Sequence, residues 1–412
     1  MMHRVFGFLT IAALSVAAPL AHAQQATPAV PTAPRSSAPA PRLPVIGMWG
    51  YQLQNVDVET IARSALDLVV IDYSPSPEEQ FRVKPADVRR MQRKPDGSRR
   101  VVLAYMSIGE AETYRFYWDK DWVEPVKVVI EKSKEQFDEG PADPLSRTPG
   151  APTPEEPRVV KPPPVPEVKL VHYPKLTAPV WLGHENESWP SNYQVRYWEK
   201  GWQDIIFGAR GAYLERVLAS GFDGVYLDRV DAFYGAAEQR PTAKSDMARF
   251  VVDLARHART INPNAIVVPQ NAEELLLVPE YLGAIDGIAK EDLLYGYNEG
   301  QPNPTMFVRN SFEHLGRARD KGLPVMVVEY LEAPEAIRDA HARITERGFL
   351  PFFSERGLGT LQTVEQALAR GATRPVGLPR PGPIPEPPAA SAPPTLGRGK
   401  STPVAPQRPQ GN

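Results

Sequence analysis

Apolar residues along this chain gather in short, nearly continuous runs, and polar residues collect where those runs stop. Eight such runs recur: VIGMWGYQ (45–52), LDLVVIDYS (66–74), RVVLAYMSIGE (100–110), GFDGVYLDRV (221–230), AIVVPQNAE (265–273), IDGIAKEDL (285–293), LPVMVVEYL (323–331) and GFLPFFSER (348–356). Their Val, Ile and Leu content, without strict alternation, is that of strands covered on both faces. Amphipathic stretches separate them. In residues 244–261, Met247, Phe250, Val251, Leu254 and Ala258 recur at helical spacing, and residues 336–348 read the same way. Eight strands alternating with helices predict a (β/α)8 TIM barrel. No G-x-G-x-x-G follows the first strand, which removes the usual dinucleotide-binding alternative.

Composition then trims the chain to its folded part. The 46 prolines of the 412 residues cluster, which predicts a Pro/Ala-rich linker over 24–43, a Pro-rich insertion over 138–168 and a disordered tail over 375–412. Residues 44–374 remain as one barrel domain, with the insertion lying in the long connection between strands three and four. Residues 1–23 have a short basic start, an apolar run and an Ala21-His22-Ala23 cleavage site, the layout of a signal peptide. A secreted or periplasmic protein with no membrane span after cleavage is expected. A net charge of −2 gives no reason to expect a nucleic acid partner. The chain has no cysteine, which excludes disulfides, thiolate metal sites and a thiol nucleophile. Its seven histidines form no metal-type pair; neither metal nor organic cofactor is expected, and nothing sets the oligomeric state.

In a barrel, catalytic groups sit at the C-terminal ends of the strands. The runs end in Trp49, Tyr51 and Gln52; in Asp72; in Tyr105 and Glu110; in Asp228; in Gln270 and Asn271; in Lys290, Glu291 and Asp292; in Glu329 and Tyr330; and in Ser354 and Glu355. Carboxylates, amides and aromatics on one rim suit carbohydrate, and glycosidic cleavage needs two carboxyl groups. Asp228 is either a hydrogen-bonding partner of the loop that follows it or a catalytic group. Glu291 and Asp292 are adjacent, so in an extended strand only one faces the barrel; Glu291 is assigned inward and Asp292 to a pair outside. Asp231 is assigned to a cap or salt bridge. Trp49, Tyr51, Gln52, Asp72, Tyr105, Glu110, Asn271 and Glu329 are candidates for substrate binding. Trp198 is another, from the aromatic stretch that also holds Trp189, Tyr193, Tyr197 and Trp202. That stretch is either a sugar platform or a set of anchors holding the loop to the barrel.

Motifs spread over residues 45–356 resemble those of glycoside hydrolase family 114, the endo-α-1,4-polygalactosaminidase-like barrels. WGYQLQN, VVIDYS, VLAYMSIGEAETYRFYW, NYQVRYWEKGW, GFDGVYLDRVDAFYG, PQNAEELL, IDGIAKEDLLYG and LPVMVVEYL occur in order. YLDRVD and KEDLLY place the chain in a bacterial sister branch. The resemblance implies cleavage of an α-linked, galactosamine-type polysaccharide with retention, Asp228 as nucleophile and Glu291 as general acid/base. The alternative is a non-catalytic exopolysaccharide-binding envelope protein that kept the barrel. A deacetylase on the same scaffold would need a His/Asp metal set, which the sequence does not show.

Overall fold

The computed structural model describes residues 42–75, 79–130, 167–296 and 301–373. The signal segment, the tail and nearly all of the linker and insertion lie outside them.

Along the chain run β1 (Trp49–Gln52), α1 (Val58–Arg63), β2 (Leu68–Asp72), α2 (Pro85–Met91), β3 (Val101–Ser107), β4 (Glu110–Glu112), β5 (Val123–Ile130), β6 (Glu167–Pro174), β7 (Leu182–Glu185) and β8 (Asn192–Val195). Then come α3 (Lys200–Gln203), α4 (Tyr213–Ala219), β9 (Gly224–Asp228), α5 (Phe233–Ala236), α6 (Ala243–Ile261), β10 (Ile266–Pro269), α7 (Pro279–Ala284), β11 (Ile288–Glu291), α8 (Thr305–Asp320), β12 (Val325–Glu329), α9 (Pro334–Glu346), β13 (Leu350–Phe353) and α10 (Val364–Thr373). Local chemistry starts several helices. Asp57 caps α1 by accepting from the Glu59 and Thr60 amides, and proline opens α2, α7 and α9, where a missing N–H costs nothing.

Each of the eight apolar runs contains one strand of a parallel ring. β1, β2, β3, β9 and β10 pair in that order, and β11, β12 and β13 continue it. A parallel bridge from Gln270 to Ala289 joins the two sets. At the other seam the Trp49 indole N–H donates to the Leu350 carbonyl at 2.9 Å. Alternate residues of all eight strands fill one interior cluster: Trp49 and Tyr51, Leu68 and Val70, Leu103 and Tyr105, Tyr226, Val268, Ala289, Met326 and Val328, and Phe352. The opposite parity, including Val69, Val102, Val225, Val267, Ile288 and Val327, packs against the helices. Two faces buried on separate cores are the arrangement of a (β/α)8 barrel.

The bottom of the barrel reaches into the segment read as linker. Leu43 is buried in the interior cluster, and Arg42 pairs with Asp286 at 3.3 Å. Arg42 and Leu43 therefore belong to the barrel. The connection from β3 to β9 builds a three-stranded antiparallel sheet, β4-β8-β7, and a two-stranded ribbon, β5-β6. Its aromatics anchor it. Tyr193, Tyr197 and Trp202 are buried, with the Trp202 indole donating to the Ile108 carbonyl at 2.8 Å and the Tyr197 hydroxyl to the Ala243 carbonyl at 2.8 Å.

Candidate active site

Strand parity decides which polar residues meet. The interior set continues upward from Tyr226 to Asp228, from Val268 to Gln270, from Ala289 to Glu291 and from Val328 to Tyr330, so these four side chains converge above the aromatic core. The Tyr105 hydroxyl donates to Asp228 Oδ2 at 2.7 Å, and the Arg229 amide to Oδ1 at 2.7 Å. Gln270 Nε2 donates to Asp228 Oδ1 at 2.8 Å and also to Glu291 Oε2. Two oxygens sharing one amide nitrogen lie about 5 Å apart at ordinary hydrogen-bond lengths. Glu291 Oε2 also accepts from Asn271 Nδ2 at 3.0 Å, while among the described residues Oε1 meets only the Tyr330 hydroxyl, at 3.3 Å. With two N–H donors on Oε2, a proton on Glu291 belongs on Oε1.

Desolvation is the main cause that pushes both carboxyl groups above their ordinary range. The negative neighbour Glu291 adds to it for Asp228, and Asp292 adds to it for Glu291. Two half-buried acids this close disfavour ionising both at once. Tyr51, Tyr105, Tyr226 and Tyr330 surround the pair, and burial raises all four phenols, so they stay protonated donors. The strand ends turn away sharply. Arg229, Asn271, Ala272 and Asp292 each have positive φ, between 51° and 62°, within one or two residues after Asp228, Gln270 and Glu291. Left-handed non-glycine residues are strained and persist where the surroundings over-determine them. Here they end three neighbouring strands abruptly and leave their last side chains over the cavity.

The candidates from the sequence divide by this geometry. Tyr105 and Asn271 touch the carboxyl pair, and Tyr51 lies beneath it, its ring 4.9 Å from that of Tyr226. Asp72 faces inward but is committed to buried Arg115, at 2.6 and 3.0 Å, which also holds Glu112 at 2.6 Å. Glu110 sits at the rim, bound to Asn186 at 2.8 Å and Arg229 at 3.0 Å. Asp292 pairs outside with Arg356 at 2.9 Å, and Asp231 with Arg229 at 3.4 Å.

Four assignments are corrected. Trp49 lies low in the barrel core, because β1 begins there rather than ends. Gln52 has outward parity and its amide ties two loops, donating to the Asn55 and Gly359 carbonyls at 3.2 Å. Glu329 has outward parity too. It is fully buried, with Oε1 accepting the Leu294 amide at 2.7 Å. Trp198 lies against Tyr197 and under the Arg240 guanidinium, 4.7 Å away, rather than beside the carboxyls. Sequence reasoning passed over Gln270, Tyr226 and Tyr330 as site residues. The signal for them was the strand parity that assigned Glu291.

A parallel (β/α)8 barrel whose rim presents two facing carboxyl groups among tyrosines and amides has the form of a barrel glycoside hydrolase. The model of glycoside-hydrolase family GH114 matches residues 168–370, and the chain belongs to that family. An uncharacterised protein of Deinococcus radiodurans is 31% identical over 335 residues, 81% of this chain and 87% of its own length. Among solved structures, the glycoside hydrolase domain of PelA from Pseudomonas aeruginosa aligns at 18% identity and TM-score 0.49, covering 77% of this chain and 97% of that one. Aspergillus fumigatus Ega3, in complex with galactosamine, aligns at 16% identity and TM-score 0.47, covering 78% and 96%.

Proposed function

We propose that this glycoside hydrolase cleaves an α-linked, galactosamine-type polysaccharide with retention of configuration, outside the cytoplasm. The observation that carries the mechanism is the single Gln270 amide shared by Asp228 and Glu291. A spacing of about 5–5.5 Å suits a nucleophile and an acid/base, whereas inversion needs about 6.5–9.5 Å to admit a water. Asp228, with donors on both oxygens, is the nucleophile. It attacks the anomeric carbon as the glycosidic bond breaks, and Glu291 Oε1 gives its proton to the leaving oxygen. In the second step Glu291 takes a proton from water, which attacks the same carbon and displaces Asp228. The motif resemblance supports the sugar, and the Ala21-His22-Ala23 leader supports export.

The test is incubation of purified protein with α-linked galactosaminan, its N-acetylated form and neutral α-glucans, with products read by mass spectrometry and the new anomeric centre by NMR. Retained α product from the galactosaminan alone supports the reading. Asp228→Asn is expected to abolish turnover while keeping the fold. Glu291→Gln should lose about 100-fold or more on the polymer, and azide should rescue its second step on an activated aryl glycoside. An inverted product, or no product from any of these polymers, would overturn it.

A further inference from the structure

We propose that Gln270 is the positioning residue that sets the distance between Asp228 and Glu291, and that Tyr226 fixes the face Gln270 presents. This rests on the two-carboxylate reading above, and adds what holds the two groups in place.

Gln270 occupies the inward position after β10, between β9, which brings Asp228, and β11, which brings Glu291. It is 2% exposed. A carboxamide can sit either way round, and here the choice is forced from below. The Tyr226 hydroxyl, itself fully buried, reaches Gln270 Oε1 at 2.6 Å. The phenol stays protonated, so it donates, and only the carboxamide oxygen can accept. The two amide hydrogens are thereby turned upward, one toward each carboxyl group. A rigid barrel residue thus offers two donors at a fixed angle, and two mutually repelling acids are each held by one of them.

Other titratable groups face the pair without touching both members. Arg229 and Asp231 lie beyond β9, Lys290 and Asp292 flank Glu291 on β11, and Tyr51, Tyr105 and Tyr330 approach from β1, β3 and β12. Tyr105 and Tyr330 each hold one carboxyl group, and Asn271 holds only Glu291. Gln270 alone among the described hydrogen bonds spans the two.

Gln270→Met keeps the length of the side chain and removes both donors. Crystals of this variant are expected to show the carboxyl groups moved apart or one of them rotated away. Its melting temperature, followed from pH 4 to pH 8, should fall further below wild type as pH rises, because carboxyl groups raised above their unfolded values lose stability as pH climbs through the folded values. In an Asp228→Asn background that growing gap should largely close, since the repelling partner is gone. Tyr226→Phe deletes one hydroxyl and guards against a misfolded first variant; it should give the same trend, weaker. On galactosaminan, Gln270→Met should lower kcat about 100-fold with little change in KM, and move the pH optimum upward. Unmoved carboxyl groups together with melting curves parallel to wild type in both variants would overturn the proposal. Those two readouts need no substrate, so they separate its failure from a wrong choice of polysaccharide.

Discussion

Glu329 ends β12 with a carboxyl group that meets no solvent, and its surroundings show how one residue's parity outweighs its position at a strand end. Burial pushes it to about 8, against the weaker help of the Leu294 and Tyr295 amides. Oε2 has no partner among the described residues. It is therefore mostly neutral at neutral pH and braces the loop after β11 from behind. Because its folded value is raised, its contribution to stability is complete below the unfolded value near 4.5, declines as pH rises, and is lost above about 8. Glu329→Gln removes that dependence. The wild-type melting temperature should fall relative to the variant between pH 5 and 8 and then level off, with a total difference of about 5 kcal/mol at most. Parallel melting curves from pH 5 to 9 would mean that the carboxyl group is ionised throughout. The sequence named Glu329 correctly as a polar strand end, but only the register with β11 and β13 shows that it points into the helix layer.

At the scale of elements, the strands were legible and their ends were not. Apolar runs locate β9, β10 and β11, since continuous Val/Ile/Leu content reports burial on two faces. The left-handed residues that finish those strands have no such signature, because Arg229, Asn271, Ala272 and Asp292 are held there by tertiary contacts rather than by glycine. Gly109 shows the constraint from the other side. Just beyond β3, it lies so close to the turn after Asp228 that an added Cβ would meet the Arg229 carbonyl at 2.1 Å and the Ala232 Cβ at 2.6 Å. Gly109→Ala should push that turn outward and shift Asp228. Thermal melting should show a loss of about 1–3 kcal/mol. Turnover should drop by more than this modest destabilisation accounts for. Full activity in a folded Gly109→Ala protein would show that the turn moves without carrying Asp228 with it.

For the whole molecule, the barrel's lower opening sets where the chain can be shortened. Leu43 and Ile46 plug it, and Arg42 reaches Asp286, which also accepts from Arg259 at 2.8 Å and from the Val267 amide at 2.9 Å. A protein trimmed to residues 42–374 should melt like the full chain. One that starts at Pro44 should lose about 2 kcal/mol from Leu43 alone, or a few degrees in melting temperature. Calorimetry of the two would decide it; equal stabilities would mean that Leu43 adds nothing to the plug.

Pattern alone determined the eight barrel strands and their order, and the acids at the ends of β9 and β11, but not the five strands between β3 and β9. Each feature it determined follows from local periodicity, because burial on two faces and alternation along a strand are written into neighbouring residues. Tertiary structure decided which strand-end groups share a space. Asn271 was picked from the sequence and Gln270 passed over, yet Gln270 has the inward parity and bridges Asp228 and Glu291, while Asn271 reaches Glu291 only through a left-handed turn. Asp72, by contrast, faces inward as expected and is taken up by Arg115, which lies 43 residues further along the chain. Contacts of that range depend on how the ring closes, and closure is a property of eight strands together that no single stretch of sequence carries.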